Sequence, residues 1–193
     1  MTFVFSVLKS PMIIPNVLKL ESPDNPLPLI FDSPHSGTLY PADFTHACPR
    51  EALEKSADKY VDDLFSAAPD HGAHLLYALF PRAYIDVNRA RDDIDPELLS
   101  ADNLNNWPYP DCTPVNPSNR SYAGIGLIRR LVKPGEPVYD HNLSPFDIKS
   151  RIDTYHQPYH DILEKMIEGA HYNYGAVWHV NCHSMPTAAL TQG

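Results

Sequence analysis

A chain of 193 residues that is 43% hydrophobic and 20% charged is long enough for one domain with a substantial core, and its make-up is that of a soluble globular protein. A formal net charge of −9 argues against a general binder of nucleic acid or anionic membrane, which needs a basic face, but leaves room for a small anionic substrate held by a few local arginines. Twenty prolines, about twice the usual share, predict much ordered loop, and three cysteines (Cys48, Cys112 and Cys182) without a CxxC predict a reducing compartment, by default the cytoplasm.

The N-terminal "MTFVFSVLKSPMIIPNVLKL" is mildly apolar but is interrupted by Lys9, Pro11 and Pro15. It reads as a strand or packing arm, with no signal-peptide or membrane-span character. "LPLIFDSPH" (27–35) reads as a short buried strand that runs abruptly into Asp32, Ser33, Pro34, His35, Ser36 and Gly37. "EALEKSADKYVDDLFSAA" (51–68) predicts a helix, with Leu53, Ala57, Tyr60, Val61, Leu64, Phe65 and Ala68 on one face and Gly72 as its stop. "AHLLYALF" (73–80) and "AYIDVNR" (83–89) read as two strands separated by Pro81.

From about residue 90 to 145 no period is sustained. Loops of this length in a compact domain are usually functional or disordered, and Trp107, Tyr109 and Tyr122 favour an ordered, packed one. "SPFDIKSRIDTYHQPYHDILEKMIEGAH" (144–171) predicts a second helix with the stripe Ile148, Ile152, Tyr155, Tyr159, Ile162 and Met166. Ser144 is its expected N-cap, Pro145 opens it, Asp147 stands three residues on, and Pro158 should kink or break it. "GAVWHVNCHS" (175–184) reads as a closing buried strand. The order of elements predicts an α/β domain with a mostly parallel or mixed central sheet flanked by helices.

Two strands end alike, in His35-Ser36 and in His183-Ser184. Ligands gather at the carboxyl ends of parallel strands, so two imidazoles delivered there could meet on one ion. Zinc favours imidazole with carboxylate, and a third ligand is offered by the first helix through Asp58, Asp62 or Asp63. Asp62 lies beside the apolar stripe and is the one expected to reach the sheet end. Taken singly, a histidine at a strand end is more often a hydrogen-bonded loop residue, and acids on a helix are more often its solvated face.

Asn88-Arg89 also closes a strand-like run. Arg89 could grip a carboxylate through its planar fork or be spent on Asp86, Asp92, Asp93 or Asp95. Arg151 has the same two readings. His156 and His160 lie one helical turn apart, where helix packing is the plainer reading than a metal pair. Cys182 alternates to the face opposite His183 and reads as a core residue rather than a nucleophile.

Six stretches, "SPHSG", "DKYVDDLF", "YIDVNRARDDIDPELL", "GLIRR", "RIDTYHQPYHDIL" and "VNCHSMP", stand in the order found in N-formylglutamate amidohydrolases. The chain resembles that family from about residue 29 to 187. The resemblance implies a fold like that of zinc carboxypeptidases and N-acyl amino acid deacylases. It implies hydrolysis of N-formyl-L-glutamate to formate and glutamate in histidine breakdown, with one Zn²⁺ per chain. It implies a metal held by His35 and His183 with an acid three residues after the first histidine; Thr38 stands there in this chain, so Asp62 is taken as the substitute acid, with Asp58 behind it. Asp86-Val87-Asn88-Arg89 matches the relatives' carboxylate-binding element, so Asn88 and Arg89 are implied at the substrate, with Arg151, Arg129 and Arg130 competing to hold a second carboxylate. The catalytic set so implied is His35, Asp62, His183 and Arg89.

The chain stops ten residues after His183, whereas family members generally continue and related carboxypeptidases place a general-base glutamate late. The expectation is a single amidohydrolase domain over residues 1–193 without the family's C-terminal segment. This would be a piece of a longer chain, a short gene product, or a protein using another base. The rival reading is a non-catalytic binder of an acidic metabolite, and a third is an interaction module with structural histidines. The expected partner is a small N-acyl amino acid, not nucleic acid or membrane.

Overall fold

The computed structural model describes residues 11–100 and 115–185. Trp107, Tyr109, Cys112 and Pro186, and the first half of the N-terminal arm, lie outside the described residues.

A five-stranded mixed sheet runs in the order β1 (Met12–Ile14), β2 (Leu18–Glu21), β4 (His74–Ala78), β3 (Leu29–Ser33), β7 (Trp178–Asn181). The arm enters as β1 and β2, which pair antiparallel, and β2 continues antiparallel onto β4. On the other side β3 lies parallel to both β4 and β7. Parallel neighbours need a crossover, and residues between β3 and β4 supply α1 (Arg50–Glu54) and α2 (Val61–Leu64). The loop region contributes a one-turn helix α3 (Asn119–Tyr122) and a small hairpin of β5 (Leu131–Lys133) and β6 (Glu136–Pro137). The expected α/β class with a mixed sheet flanked by helices is therefore the observed one.

The second helix is present as α4 (Pro145–Arg151), a π turn (Ile152–His156) and α5 (Gln157–Tyr174) in unbroken succession. Ser144 caps it in a reciprocal capping box with Asp147, and Pro145 occupies the first turn. Ile148, Ile152, Tyr159, Ile162 and Met166 are buried as the stripe requires. Pro158 does not break the helix. Proline removes one i→i−4 donor, and the wider turn just ahead of it absorbs that loss. Tyr159 reaches β3, where its hydroxyl donates to the buried Asp32 at 2.8 Å, and Asp32 also meets His179 Nε2 at 2.7 Å.

Four expectations are corrected. The helix over 51–68 is two short pieces, because Tyr60 takes the left-handed conformation (φ 66°) and Asp58 N–H is drawn to His35 O at 3.1 Å. Tyr60 and Leu64 consequently face solvent instead of the core. Residues 83–89 are buried turns rather than a strand, held by bonds such as Tyr84 N–H to Pro81 O and Arg89 N–H to Asp86 O. β7 is an exposed strand, not a buried one, since among the described residues it pairs on one side only. Tyr122 is largely exposed, so it does not pack the long loop.

Candidate metal centre

His35 leaves the carboxyl end of β3 in a loop pressed hard against Leu79 and Phe80. A Cβ on Gly37 would lie 2.3 Å from Phe80 O and 2.4 Å from Leu79 C, so only glycine permits this approach. Ser36 Oγ donates to Asp58 O at 2.9 Å and accepts from Asp62 N–H at 3.3 Å. With the Asp58 N–H to His35 O bond, these contacts lace the His35 loop to the segment before α2. The effect is to turn Asp58 inward, where it is 7% exposed.

His183, just beyond β7, completes the group. Its Nδ1 lies 2.7 Å from Asp58 Oδ2 and 3.1 Å from His35 Nδ1, and His35 Nδ1 lies 3.2 Å from the same carboxylate oxygen. His35, Asp58 and His183 thus present three ligand atoms to one point. The sequence-predicted histidines are brought together. Asp62 is not with them: its side chain lines a separate cavity of about 340 Å³ with Lys59, Tyr60 and Arg82. The break at Tyr60 is the reason, because in a continuous helix the facing acid would have been the one beside the stripe.

The far side of His35 fixes its tautomer. Nε2–H donates to Asp86 Oδ1 at 2.7 Å, which leaves the Nδ1 lone pair facing the group. Asp86 also accepts from Arg82 at 2.7 Å and from Asn88 N–H at 2.9 Å. Burial works to raise the Asp86 carboxyl, but the His35 bond and the nearby Arg82 outweigh it and hold it well below the usual carboxylate range. Asp58 follows the same pattern: burial raises it, His35 and His183 lower it, and the net direction is down. Both acids are therefore carboxylates at neutral pH.

That arrangement tests whether a metal suits these residues. Two imidazole nitrogens and a carboxylate oxygen, each able to offer a lone pair, stand 2.7–3.2 Å apart, with His35 and Asp58 buried and His183 on the exposed side. They repel one another unless a cation or proton sits among them, and the donor set is one that zinc favours. The residues fit the group.

Around this centre are arginines of two kinds. Arg130 is spent on Asp95 at 2.6 Å and Glu97 at 2.9 Å. Arg151 is corrected from the substrate set to the core. It is 3% exposed, donates to Tyr84 O at 3.1 Å and to the Tyr139 hydroxyl at 2.7 Å, and lies over the Tyr84 ring. Arg89 and Arg129 differ. Unlike Arg130, neither forms a salt bridge among the described residues, and unlike Arg151 both are only half-buried. Burial and the neighbouring Arg82 and Arg89 push the Arg129 guanidinium down to about 10, still charged at neutral pH. Asn88 sits between, with Nδ2 3.0 Å from His183 Nε2 and Oδ1 accepting from Asn181 at 3.1 Å.

Sequence reasoning missed Asp86 as the partner of His35, and Arg82 and Asn181 altogether. Asp86-Val87-Asn88 carried one usable signal, an Asx-type turn in which Asp accepts from the N–H two residues on. Cys182 is buried as expected, and burial pushes its thiol up to about 11, as suits an inert core residue.

The family model for N-formylglutamate amidohydrolase matches residues 27–193. A curated N-formylglutamate deformylase from Pseudomonas putida is 25% identical over 164 residues, covering 82% of this chain and 52% of that protein. The crystal structure of an N-formylglutamate amidohydrolase from Ralstonia eutropha superposes with a TM-score of 0.83 at 44% identity, covering 90% of this chain and 60% of that one. A gene product of Agrobacterium tumefaciens shares the fold at 17% identity and a TM-score of 0.56, over 88% of this chain and 57% of its own. The chain thus spans about half the length of the curated relative and three-fifths of the Ralstonia structure. The mixed open sheet with its flanking helices, expected to be zinc-carboxypeptidase-like, is the architecture shared with that amidohydrolase.

Proposed function

The chain belongs to the N-formylglutamate amidohydrolase family, and from that premise we propose that it hydrolyses the formyl amide of N-formyl-L-glutamate, or of a close N-acyl amino acid, to formate and the free amino acid. His35, Asp58 and His183 would hold one Zn²⁺, with Asp58 in the role that spacing alone gave to Asp62. The observation that carries this reading is the meeting of His35 Nδ1, His183 Nδ1 and Asp58 Oδ2, with Arg89 and Arg129 forming no salt bridge among the described residues.

Held by His35, Asp58 and His183, a zinc ion would supply Lewis acidity, which can lower the pKa of water to about 7 and polarise a carbonyl, the two things a poorly electrophilic formamide needs. The protein's own groups do the rest. Asp86 keeps the His35 proton on Nε2 and so keeps Nδ1 available. Arg89, with Asn88 alongside, takes one carboxylate of the substrate, and Arg129 takes the second. Holding both ends places the amide in a single orientation, which is where much of the rate advantage of such a site lies. Attraction of a dianion by an acidic protein is local here: Arg82, Arg89 and Arg129 are close enough to perturb one another. No described helix is long and apolar enough to cross a membrane. The sparse cysteines favour a cytoplasmic setting, and the reaction would serve histidine breakdown.

The test is formate release from N-formyl-L-glutamate by zinc-loaded protein. Release well above a chelator-treated control is the expected result, and release equal to the control overturns the reading. A binder without turnover is the second reading. One observation favours it: among the described residues the acids at the centre, Asp58 and Asp86, are both engaged, so neither is free to take a proton from water. Binding of L-glutamate without formate release is the outcome that would select it.

A further inference from the structure

We infer that His156 and His160 are positioning residues that staple the substrate-binding segment Val87-Asn88-Arg89 from below, an inference that rests on the reading of Asn88 and Arg89 as carboxylate ligands. His160 Nε2 lies 2.8 Å from Val87 O, and His156 Nε2 lies 2.9 Å from Arg89 O. The two carbonyls flank Asn88, whose own N–H is taken by Asp86 at 2.9 Å. One backbone group on each of three consecutive residues is therefore pinned in a stretch with no strand or helix of its own.

Carbonyl oxygens only accept, so each Nε2 must carry the proton and donate. His156 is placed to do so at any physiological pH. It is 6% exposed, and burial, with smaller contributions from His160 and Arg91, pushes it down to about 4, so it stays neutral with one N–H to give. The rings lie with centroids 4.3 Å apart and a 36° tilt, side by side on one helix face. The π turn ends at His156 itself, and the helix reverts to α from Gln157. The two histidines stand i, i+4 along the α-helical stretch that begins there, which puts both rings on one face. Packing alone does not need two N–H donors aligned on carbonyls two residues apart.

The segment they hold is the one that must be rigid. Asn88 is exposed and its Nδ2 lies 3.0 Å from His183 Nε2, while Arg89 next to it is half-buried. A loop that orders only when substrate arrives subtracts the ordering cost from affinity, whereas a loop held in advance does not.

The variants are His156→Leu and His160→Leu, which remove the donor, and His156→Gln and His160→Gln, whose Nε2–H reaches a similar place without the ring. Amide exchange of the 86–91 segment is read by mass spectrometry, and KM and kcat are measured with N-formyl-L-glutamate, all on zinc-loaded full chain. The expected result is exchange in that segment at least tenfold faster in each Leu variant. KM should rise about tenfold with kcat within threefold of wild type, and Gln should restore both. Unchanged exchange and KM in the Leu variants overturn the staple. So does failure of Gln to rescue, or acceleration spread evenly over the whole protein, which would mark a packing role only. A wild type that releases no formate overturns the deformylase reading alone, and the exchange data still decide the staple.

Discussion

His35 Nε2–H donates to Asp86 Oδ1 at 2.7 Å, and this one bond decides which nitrogen of His35 looks into the centre. A carboxylate behind a ligating imidazole fixes its tautomer and raises its basicity, and loss of such a partner typically costs about 10–100-fold in metal affinity. Asp86→Asn should therefore weaken zinc by that factor while leaving the protein folded. Competition against a chromophoric chelator measures it, and an affinity equal to wild type would remove Asp86 from the role.

Asp58 and Asp62 stand four residues apart, yet only Asp58 meets both histidines. Asp58→Asn should abolish stoichiometric zinc, and Asp62→Asn should retain it. Metal content per chain after gel filtration separates the two acids. Zinc kept by Asp58→Asn but lost by Asp62→Asn would restore the assignment made from spacing.

The meeting of the two histidines was legible because strand ends are places where chains converge, and "SPHSG" and "NCHS" both follow apolar runs. The acid was not legible, for a local reason. Periodicity continues through 51–68, but Tyr60 adopts a left-handed backbone that periodicity cannot report, and everything before it rotates. Asp86 was visible only as part of a matched element, since its service to His35 comes from a distant turn in the chain. Arg151 misled because sequence shows a charge and not the Tyr84 and Tyr139 rings around it. Pro158 misled in the opposite sense: its cost is real, but a π turn meets it without a break.

Arg129 is half-buried and Arg130 beside it is tied to Asp95 and Glu97. Arg129→Gln should raise KM for N-formyl-L-glutamate by roughly 10–100-fold, the loss of one charge-assisted pair at about 1.5–3 kcal/mol. Arg130→Gln should lower stability and leave KM unchanged. Equal effects of the two on KM would contradict the assignment of the second carboxylate.

Gly37→Ala should be disruptive although the added group is a single methyl. The new Cβ meets the backbone of Leu79 and Phe80 at 2.3–2.6 Å, and backbone, unlike the end of a side chain, cannot rotate away. Overpacking of this kind costs about 3 kcal/mol. Because the loop carries His35, zinc affinity should fall with stability. Urea unfolding of the zinc-free and zinc-loaded forms reports both, and a variant as stable as wild type would mean the loop can shift.

His156 makes stability depend on pH in a defined window. In the unfolded chain it titrates near 6.5, whereas in the folded protein burial pushes it down to about 4. Between those values the unfolded state binds the proton and the folded state does not, so acid favours unfolding. The contribution is fully present above about pH 6.5 and is lost progressively as pH falls toward about 4, on the order of 3 kcal/mol in all. The groups around it are the Arg89 carbonyl, His160, Arg91 and Asp86. Comparing wild type with His156→Gln by urea unfolding from pH 7.5 to 5 isolates the effect, because the other titrating histidines are common to both. The wild type should lose stability faster as pH falls, and curves that run parallel would mean His156 does not titrate differently on folding.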